Sequence, residues 1–256
     1  LYQTRDGNYF FIDIHHSICD GTSLVILIED INRAYGGAAL EPESYSSFDA
    51  ARDEQQRRAG AEYPQAQAYF AELFAGCDTD FLPGPDKNET EKTLGIVSLI
   101  PEQLEVAAVA SYCEAHKLSP NAFFVGLFGY LIGRYNYKDH SVLTTIYNGR
   151  SDSRTDRALG MFVKTLPVSC QLGSSALQLF TTTKKQLLDS MDHDIYSFAE
   201  ISRALGISAE LMFVYQGDNF EFDQLAGLPT EALEVMSEGV IAAISVEVSI
   251  REGRYY

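Results

Sequence analysis

The chain has 256 residues, of which 46% are hydrophobic and 21% charged, and this ordinary globular composition excludes a disordered or fibrous protein. Thirty-six acidic against nineteen basic side chains give a net charge of -17, which repels nucleic-acid phosphates and anionic lipid. No apolar run reaches the roughly 18 to 20 residues that cross a bilayer, so we expect a soluble protein with no nucleic-acid or membrane partner.

Hydrophobic periodicity and turn residues predict the elements of the first half of the chain. Residues 8–14 are aromatic and β-branched, which favours a buried strand. From Thr22 apolar residues recur at helical spacing, and Gly36 and Gly37 supply a left-handed stop. Two helices and then a loop are expected at 45–59, 63–75 and 76–91.

Strands and helices alternate irregularly in the second half of the chain. Pro101 and Pro120 are each placed to open a helix, and the second of these, at 121–137, is apolar nearly all round, so we expect it to be covered on both sides. Strands are expected at 93–100, 141–147, 163–172, 211–216 and 242–250, with further helices at 175–191 and 197–205. This order predicts an α/β (α+β) fold with a layered mixed sheet and flanking helices.

A group of chemically capable residues follows the first predicted strand. His15 and His16 are adjacent on an expected extended backbone, where neighbouring side chains point to opposite faces, so one ring is expected in the core and the other in a cleft. Asp20 precedes the next helix, where a carboxylate accepts backbone N–H groups and pairs with a cation. Gly21 leaves its N–H uncovered for a ligand or an oxyanion.

This segment, HHSICDG from His15 to Gly21, resembles the HHxxxDG motif of the chloramphenicol acetyltransferase-like superfamily, and in particular of the condensation domains of nonribosomal peptide synthetases. Later stretches are similar to further motifs of these domains and follow in the same order. They are YSSFD from Tyr45, NGR ending at Arg150, LGMFVKTLP from Leu159, HDIYSF from His193 and VYQG from Val214. The third departs from the family pattern at Lys164, where Asn is usual, and this bears on selectivity more than on activity.

The resemblance implies two chloramphenicol acetyltransferase-like lobes with the active site in a tunnel between them. Residues 1–48 would form the end of the N-terminal lobe and residues 49–256 most of the C-terminal lobe. The N-terminal part and the C-terminal end of a complete domain would then be missing. We therefore expect the isolated fragment to be inactive, because one wall of the tunnel is absent.

The resemblance also implies an acyltransferase that forms amide (peptide) bonds between carrier-bound acyl or peptidyl and aminoacyl thioesters. Both substrates would arrive on the phosphopantetheine arms of donor and acceptor carrier proteins, beside an adenylation domain of the same synthetase, with no cofactor bound directly. His16 would be catalytic, as a general base or by positioning the amine, with the Gly21 N–H as an oxyanion contact. His15 would hold the loop, and Asp20 would form a structural ion pair with Arg150.

Other functions remain open at this point. They are a stand-alone acyl-CoA-dependent acyltransferase, a non-catalytic module that docks carrier proteins, and an epimerization domain of the same superfamily. The heterocyclization variant is disfavoured because domains of that type have aspartates where this chain has His15 and His16. No metal is expected, since His116, His140 and His193 fall in separate predicted elements and no HExxH, GxGxxG or P-loop occurs. The scattered cysteines, Cys19, Cys77, Cys113 and Cys170, favour a reducing, cytoplasmic setting.

Overall fold

The structure is a computed structural model that describes residues 1–82, 95–173, 175–218, 224–231 and 242–256. The helices are α1 Gly21–Tyr35, α2 Ser47–Arg58, α3 Glu62–Leu73, α4 Val106–Ala115, α5 Pro120–Tyr135, α6 Ala176–Asp192 and α7 Phe198–Leu205, with a 3-10 turn at Ser153–Thr155. The strands are β1 Tyr2–Gln3, β2 Asn8–Tyr9, β3 His140–Tyr147, β4 Lys164–Gln171, β5 Leu211–Gly217, β6 Gln224–Leu225, β7 Leu228–Pro229, β8 Ile244–Arg251 and β9 Arg254–Tyr255. None of these helices is both long and apolar enough to span a bilayer.

The central feature is a five-stranded sheet with the order β4-β3-β5-β8-β9. Its outer pairs, β3 with β4 and β8 with β9, are antiparallel, whereas β5 runs parallel to both β3 and β8. The sheet is therefore mixed, and helices pack against it, so the predicted α/β fold class is confirmed.

Helix α5 packs closely against the sheet and α6 because three of its residues have no side chain. A Cβ built on Gly129 would lie 2.5 Å from the Cβ of Cys170 in β4. Gly126 and Gly133 approach Phe180 and Leu172 in the same way, since a Cβ built on either glycine would lie 2.8 Å from the nearest atom of the facing side chain. The other side of the helix is less covered than expected, since its C-terminal part leaves three large side chains exposed: Tyr130, Leu131 and Tyr135.

Two predicted strands differ from the structure. The strand at 8–14 shrinks to Asn8–Tyr9, and Phe10 and Phe11 are 47% and 54% exposed. A strand is held by hydrogen bonds to a neighbour, and in the described part of the chain β2 pairs only with the two residues of β1. Residues 95–100 are likewise not paired into a strand. The first two residues of that prediction, and the predicted loop beyond residue 82, lie outside the described residues.

Pro101 does not open a helix. Its carbonyl accepts a hydrogen bond from the N–H of Leu104 at 3.1 Å, which closes a turn, and α4 begins only at Val106. Proline suits a turn as well as the first position of a helix because its fixed φ fits both. Pro120, in contrast, lies at the start of α5 as predicted, with the Ser119 hydroxyl capping the N–H of Ala122.

Candidate active site

The two adjacent histidines lie on an exposed turn that ends at the start of α1. The N–H of Ile18 donates to the His15 carbonyl at 3.1 Å and closes this turn. Both rings are exposed, so the expectation that one of them enters the core is wrong. Side chains alternate between two faces only along extended strand backbone, and β2 ends at Tyr9, before the chain reaches these residues.

The contacts of the two rings select opposite neutral tautomers. His16 Nδ1 lies 2.9 Å from the Cys19 carbonyl, which only accepts hydrogen bonds, so Nδ1 carries the proton and Nε2 holds the free lone pair. His15 Nδ1 instead accepts from the Ser17 N–H at 3.1 Å and contacts the Ser17 hydroxyl at 2.8 Å. The His16 ring therefore offers a proton acceptor at Nε2, and the His15 ring is tied to its own turn.

Asp20 caps the first turn of α1 and is buried, with its side chain 0% exposed. Its Oδ1 accepts from the Ser23 N–H at 2.7 Å, and its Oδ2 accepts from the Phe162 N–H at 3.0 Å. The Asp20 N–H donates to the Gly160 carbonyl at 3.1 Å. The end of the histidine turn is thereby joined to residues more than one hundred positions further along the chain.

Arg150 supplies the charge that faces this carboxylate. Its Nη2 lies 3.0 Å and 3.3 Å from the two oxygens of Asp20 and 3.1 Å from the Ser23 hydroxyl. Its Nη1 donates to the carbonyls of Thr155 and Ala158, the latter at 2.9 Å. The side chain is only 3% exposed, so this is a buried ion pair, of the kind whose disruption is costly.

Two glycines allow the segments around this ion pair to approach each other. Gly149 has a φ of 65°, and a Cβ built on it would collide with the carbonyl oxygen of Phe162. This close crossing places the guanidinium of Arg150 over the Phe162 ring, 4.4 Å from its centroid. A Cβ on Gly160 would lie 2.8 Å from the Cβ of Ser47, the first residue of α2.

The surroundings of Asp20 keep its carboxylate charged. Burial alone would raise the pKa of this carboxyl, but hydrogen bonds from Phe162 and Ser23 and the positive charge of Arg150 outweigh it and lower the pKa. The neighbouring Cys19 thiol shows the opposite direction, since burial and the Asp20 charge raise its pKa. Cys19 is therefore held as a neutral thiol beside the ionised carboxylate.

A second group of charged side chains lies beside the first, and Lys164 is its only member that was singled out from the sequence. The Asp194 carboxylate, 5% exposed, accepts from the Tyr147 hydroxyl and lies 3.1 Å from Lys164 Nζ. Glu54 and Arg57 of α2 complete it, at 3.4 Å from Lys164 Nζ and 3.7 Å from Asp194 respectively. Burial and the bond to Asp194 raise the pKa of Tyr147, so it stays protonated.

The structure thus brings together five residues predicted for the site, His15, His16, Asp20, Gly21 and Arg150, on one turn, one helix start and one crossing segment. Sequence reasoning missed the contributions of Ser23 and of the Phe162 N–H and ring. The signal for Phe162 was its place in the LGMFVKTLP stretch, whose order relative to the histidine motif suggested a common site. In the described residues, no group of three or more His, Cys, Asp or Glu side chains is arranged to hold a metal ion.

A surface depression of about 510 Å³ lies elsewhere, lined by Ile100, Arg251, Glu252, Arg254, Tyr255 and Tyr256. Its volume alone does not make it the candidate site. We favour the histidine turn because it combines an available base, a buried ion pair and two glycine-dependent crossings, whereas the depression shows none of these.

Comparison with known families assigns the chain to a family. The family model described as the condensation domain matches residues 1–249. The chain belongs to the condensation domain family. This match confirms the resemblance carried by the histidine motif and the stretches that follow it.

Curated relatives of this condensation domain are large synthases. It is 26% identical over 262 residues to surfactin synthase subunit 1 of Bacillus subtilis (strain 168), covering 98% of the chain and 7% of that protein. It is 28% identical over 254 residues to tyrocidine synthase 2 of Brevibacillus parabrevis, covering 91% of the chain and 7% of that protein. The chain therefore spans only a small part of these relatives.

Solved structures share the fold of this condensation domain. The first condensation domain of the calcium-dependent antibiotic synthetase matches with a TM-score of 0.69 at 18% identity, over 94% of this chain and 58% of that one. The condensation domain of monacolin K polyketide synthase MokA gives 0.72 at 15% identity, over 92% and 59%. The epimerization domain from the third module of tyrocidine synthetase B gives 0.65 at 19% identity, over 94% and 60%.

Proposed function

We propose that this chain is the part of a condensation domain that forms amide bonds between two carrier-bound thioesters in nonribosomal peptide synthesis. The observation that carries the proposal is the exposed His16 ring, with Nε2 available, on a turn anchored by the buried ion pair of Asp20 with Arg150. Membership of the condensation domain family and similarity to synthases such as tyrocidine synthase 2 support it.

In the proposed reaction the amine of the acceptor attacks the carbonyl carbon of the donor thioester. A C–N bond forms and the C–S bond breaks, so the donor carrier is released as a thiol and the acceptor carries the lengthened amide. The proton lost by the nitrogen balances the one gained by the sulfur. No oxidant, metal or nucleotide is required for this exchange.

His16 Nε2 is the proposed acceptor of the amine proton or of a hydrogen bond that orients the amine. An α-amino group ordinarily has a pKa of roughly 7.7 to 8.0, so about a tenth is already neutral at pH 7 and a mild base suffices. Holding both thioesters in attack geometry contributes about 7 kcal/mol or more. Most of the proposed rate enhancement therefore comes from placing the two thioesters, and the hydrogen bond or proton transfer at His16 adds to it.

The other predicted residues receive supporting roles in this proposal. Gly21 opens α1, where the first N–H groups have no acceptor within the helix, and its N–H is the proposed contact for the oxyanion. Asp20 and Arg150 fix the end of the histidine turn, and His15 holds the turn through Ser17. Neither Asp20 nor Arg150 moves a proton.

The substrates define the proposed partners. Donor and acceptor carrier proteins would present their thioesters on phosphopantetheine, with an adenylation domain in the same synthetase, and no cofactor would bind the chain directly. We assign residues 1–48 to the end of a first lobe and residues 49–256 to most of a second. A cytoplasmic location is proposed because all four cysteines are free thiols.

The test is substitution of His16 in the complete synthetase that contains this chain, with both carriers loaded. His16→Ala should lower amide formation by about 10² to 10⁴-fold, the usual range for general acid–base catalysis. His116→Ala, an exposed histidine at the end of α4, is the matched control and should leave the rate unchanged.

The same assay separates the other functions. Unchanged turnover in His16→Ala would remove the ring from the mechanism. Product from a soluble acyl-CoA in place of the donor carrier would indicate a stand-alone type of acyltransferase. Exchange of the aminoacyl Cα proton with D₂O, without amide formation, would indicate an epimerization domain.

A further inference from the structure

Lys164 joins three segments of the chain through a buried carboxylate. It is the first residue of β4 and lies opposite Tyr147, the last residue of β3, so both side chains project from the same face of the sheet. Both reach Asp194, in the turn after α6, with Lys164 Nζ at 3.1 Å from its Oδ2 and 3.3 Å from its carbonyl. We call this group of five residues the Lys164 cluster: Lys164, Tyr147, Asp194, and Glu54 and Arg57 of α2.

The Lys164 cluster is connected to the Asp20 site through the start of β4. Lys164 follows Phe162 by two residues, and the Phe162 N–H donates to Asp20. The stem of Lys164 also lies over Gly149, since a Cβ built there would be 3.5 Å from Lys164 Cγ. Gly149 precedes Arg150, so the two segments that reach Asp20 run side by side beneath this side chain.

A third connection passes through α2. Glu54 lies 3.4 Å from Lys164 Nζ, and Arg57 lies 3.7 Å from Asp194. At its N-terminus the same helix packs Ser47 against Gly160, whose carbonyl accepts from the Asp20 N–H. The two segments after α3 that contact Asp20, around Arg150 and around 160–162, thus each lie a few residues from a contact with the Lys164 cluster or its helix α2.

We propose that Lys164 is a positioning residue for the histidine turn, an inference that rests on the proposed amide-forming function. Lys164 neutralises Asp194, which holds the start of β4 and the Gly149 crossing in place, and these in turn hold Asp20 and the turn that orients His16. Without the ammonium, Asp194 is a nearly buried carboxylate with one hydroxyl donor and one arginine at 3.7 Å. The turn then loses its fixed orientation while the substrates still bind.

The test compares four variants of the complete synthetase. Lys164→Met keeps the length of the aliphatic chain and removes the ammonium, and Lys164→Arg keeps a positive charge. Tyr147→Phe removes one hydrogen bond to Asp194 while Lys164 still neutralises that carboxylate. Lys185→Met is the matched control, because Lys185 forms an exposed pair with Asp189 on α6. We expect Lys164→Met to lower kcat about tenfold or more with the carrier KM within about twofold, as misplacement of a reacting group does.

A spectroscopic readout on the 256-residue chain separates positioning from stability. Long-range ¹H–¹⁵N spectra should show His16 protonated at Nδ1 in the unmodified chain and a mixture of tautomers in Lys164→Met, with Lys164→Arg restoring the first pattern. A lower melting temperature in Lys164→Met with unchanged kcat and an unchanged His16 spectrum would overturn the proposal. If Lys164→Met does not fold, Tyr147→Phe decides by the same two readouts.

Failure of the proposed function has a different signature. If the unmodified synthetase forms no amide yet the His16 spectrum shifts in Lys164→Met and returns in Lys164→Arg, the positioning inference stands and the reaction assigned to the site is wrong. If amide forms and His16→Ala abolishes it, but Lys164→Met behaves like Lys185→Met, the function stands and the inference is wrong.

Discussion

Asp20 is the residue on which the candidate site depends most. Asp20→Asn keeps the size of the side chain but leaves the Arg150 guanidinium, 3% exposed, without an opposite charge. Breaking a buried pair from one side costs about 3 to 5 kcal/mol, so we expect a loss of that order in urea unfolding. The control is Asp30→Asn, whose half-exposed pairs with Arg33 and Arg157 should be worth about 1 kcal/mol or less. Equal stability of the two variants would contradict the role.

The same carboxylate predicts how stability depends on pH. Its pKa is lowered in the folded chain, so the unfolded chain binds the proton first as the pH falls below about 4. The stability that it contributes is fully present above the unfolded pKa and is lost as the pH falls through the folded pKa. Asp20→Asn cannot titrate there, so its unfolding free energy should decline less on acidification from pH 5 to pH 3. A parallel decline in both proteins would contradict this sign.

The tautomer of His16 can be measured directly. With Nδ1 donating to the Cys19 carbonyl, the neutral ring should show a protonated Nδ1 and an unprotonated Nε2, the reverse of His15. Long-range ¹H–¹⁵N correlation above pH 8 distinguishes the two patterns, and His16→Gln and His15→Gln assign the signals. A His16 ring protonated at Nε2 would place the lone pair against the turn and exclude the proposed proton acceptor.

At the scale of the elements, the glycine face of α5 sets how closely the helix lies on the sheet. Gly129→Ala improves helix propensity by about 1 kcal/mol, but the new methyl would lie 2.5 Å from the Cβ of Cys170, which is fully buried in the close-packed core. Overpacking of this kind costs about 1 to 3 kcal/mol, so we expect net destabilisation in urea titrations. Gly36→Ala at the end of α1, with neighbours at 3.4 Å and a negative φ, is the control and should be neutral or slightly stabilising. A gain in stability for Gly129→Ala would refute the close packing.

Elements with their own local signals were predictable, and elements that depend on partners were not. Helix α1 begins after its cap residue Asp20 and ends before Gly37, whose φ of 84° stops the helix. Both residues lie close to the ends of the helix in the sequence. The strand expected at 8–14 has the right residues, but within the described ranges it pairs with β1 alone. Proline suits both a turn and the first position of a helix, and at Pro101 the chain forms the turn.

The candidate site divides in the same way. The residues of the histidine turn and Asp20 could be found from one short motif and its resemblance to a family. The Phe162 N–H and the Lys164 cluster could not, because no local pattern records their contacts. The Phe162–Asp20 and Lys164–Glu54 contacts join positions 142 and 110 residues apart, and those to Asp194 from Lys164 and Tyr147 join positions 30 and 47 residues apart. Lys164 stood out only as a departure from a family pattern, and its contacts with Asp194 and Glu54 became visible with the fold.

For the molecule as a whole, the dominant electrostatic feature is its net charge of -17. Excess charge of one sign repels itself in the compact state, whereas most of the ion pairs here are exposed and contribute little. We therefore expect the melting temperature to rise when NaCl is raised from about 0.01 M to 0.15 M, where the Debye length shortens from about 30 Å to about 8 Å. Sucrose at matched osmolality is the control for effects unrelated to charge. A fall in melting temperature over this range would show that the ion pairs outweigh the repulsion.

The ion pair between Asp20 and Arg150 spans 130 positions of sequence. Closing so long a stretch has a large entropic cost that only the assembled sheet can offset, so this contact belongs to a late stage of folding. On a ribosome the histidine turn emerges first, yet the groups that anchor it are synthesised only when the polypeptide reaches Phe162. Until then the proposed catalytic ring has no fixed direction, and a nascent chain can anchor the turn only after β3 and the segment up to Phe162 have been synthesised.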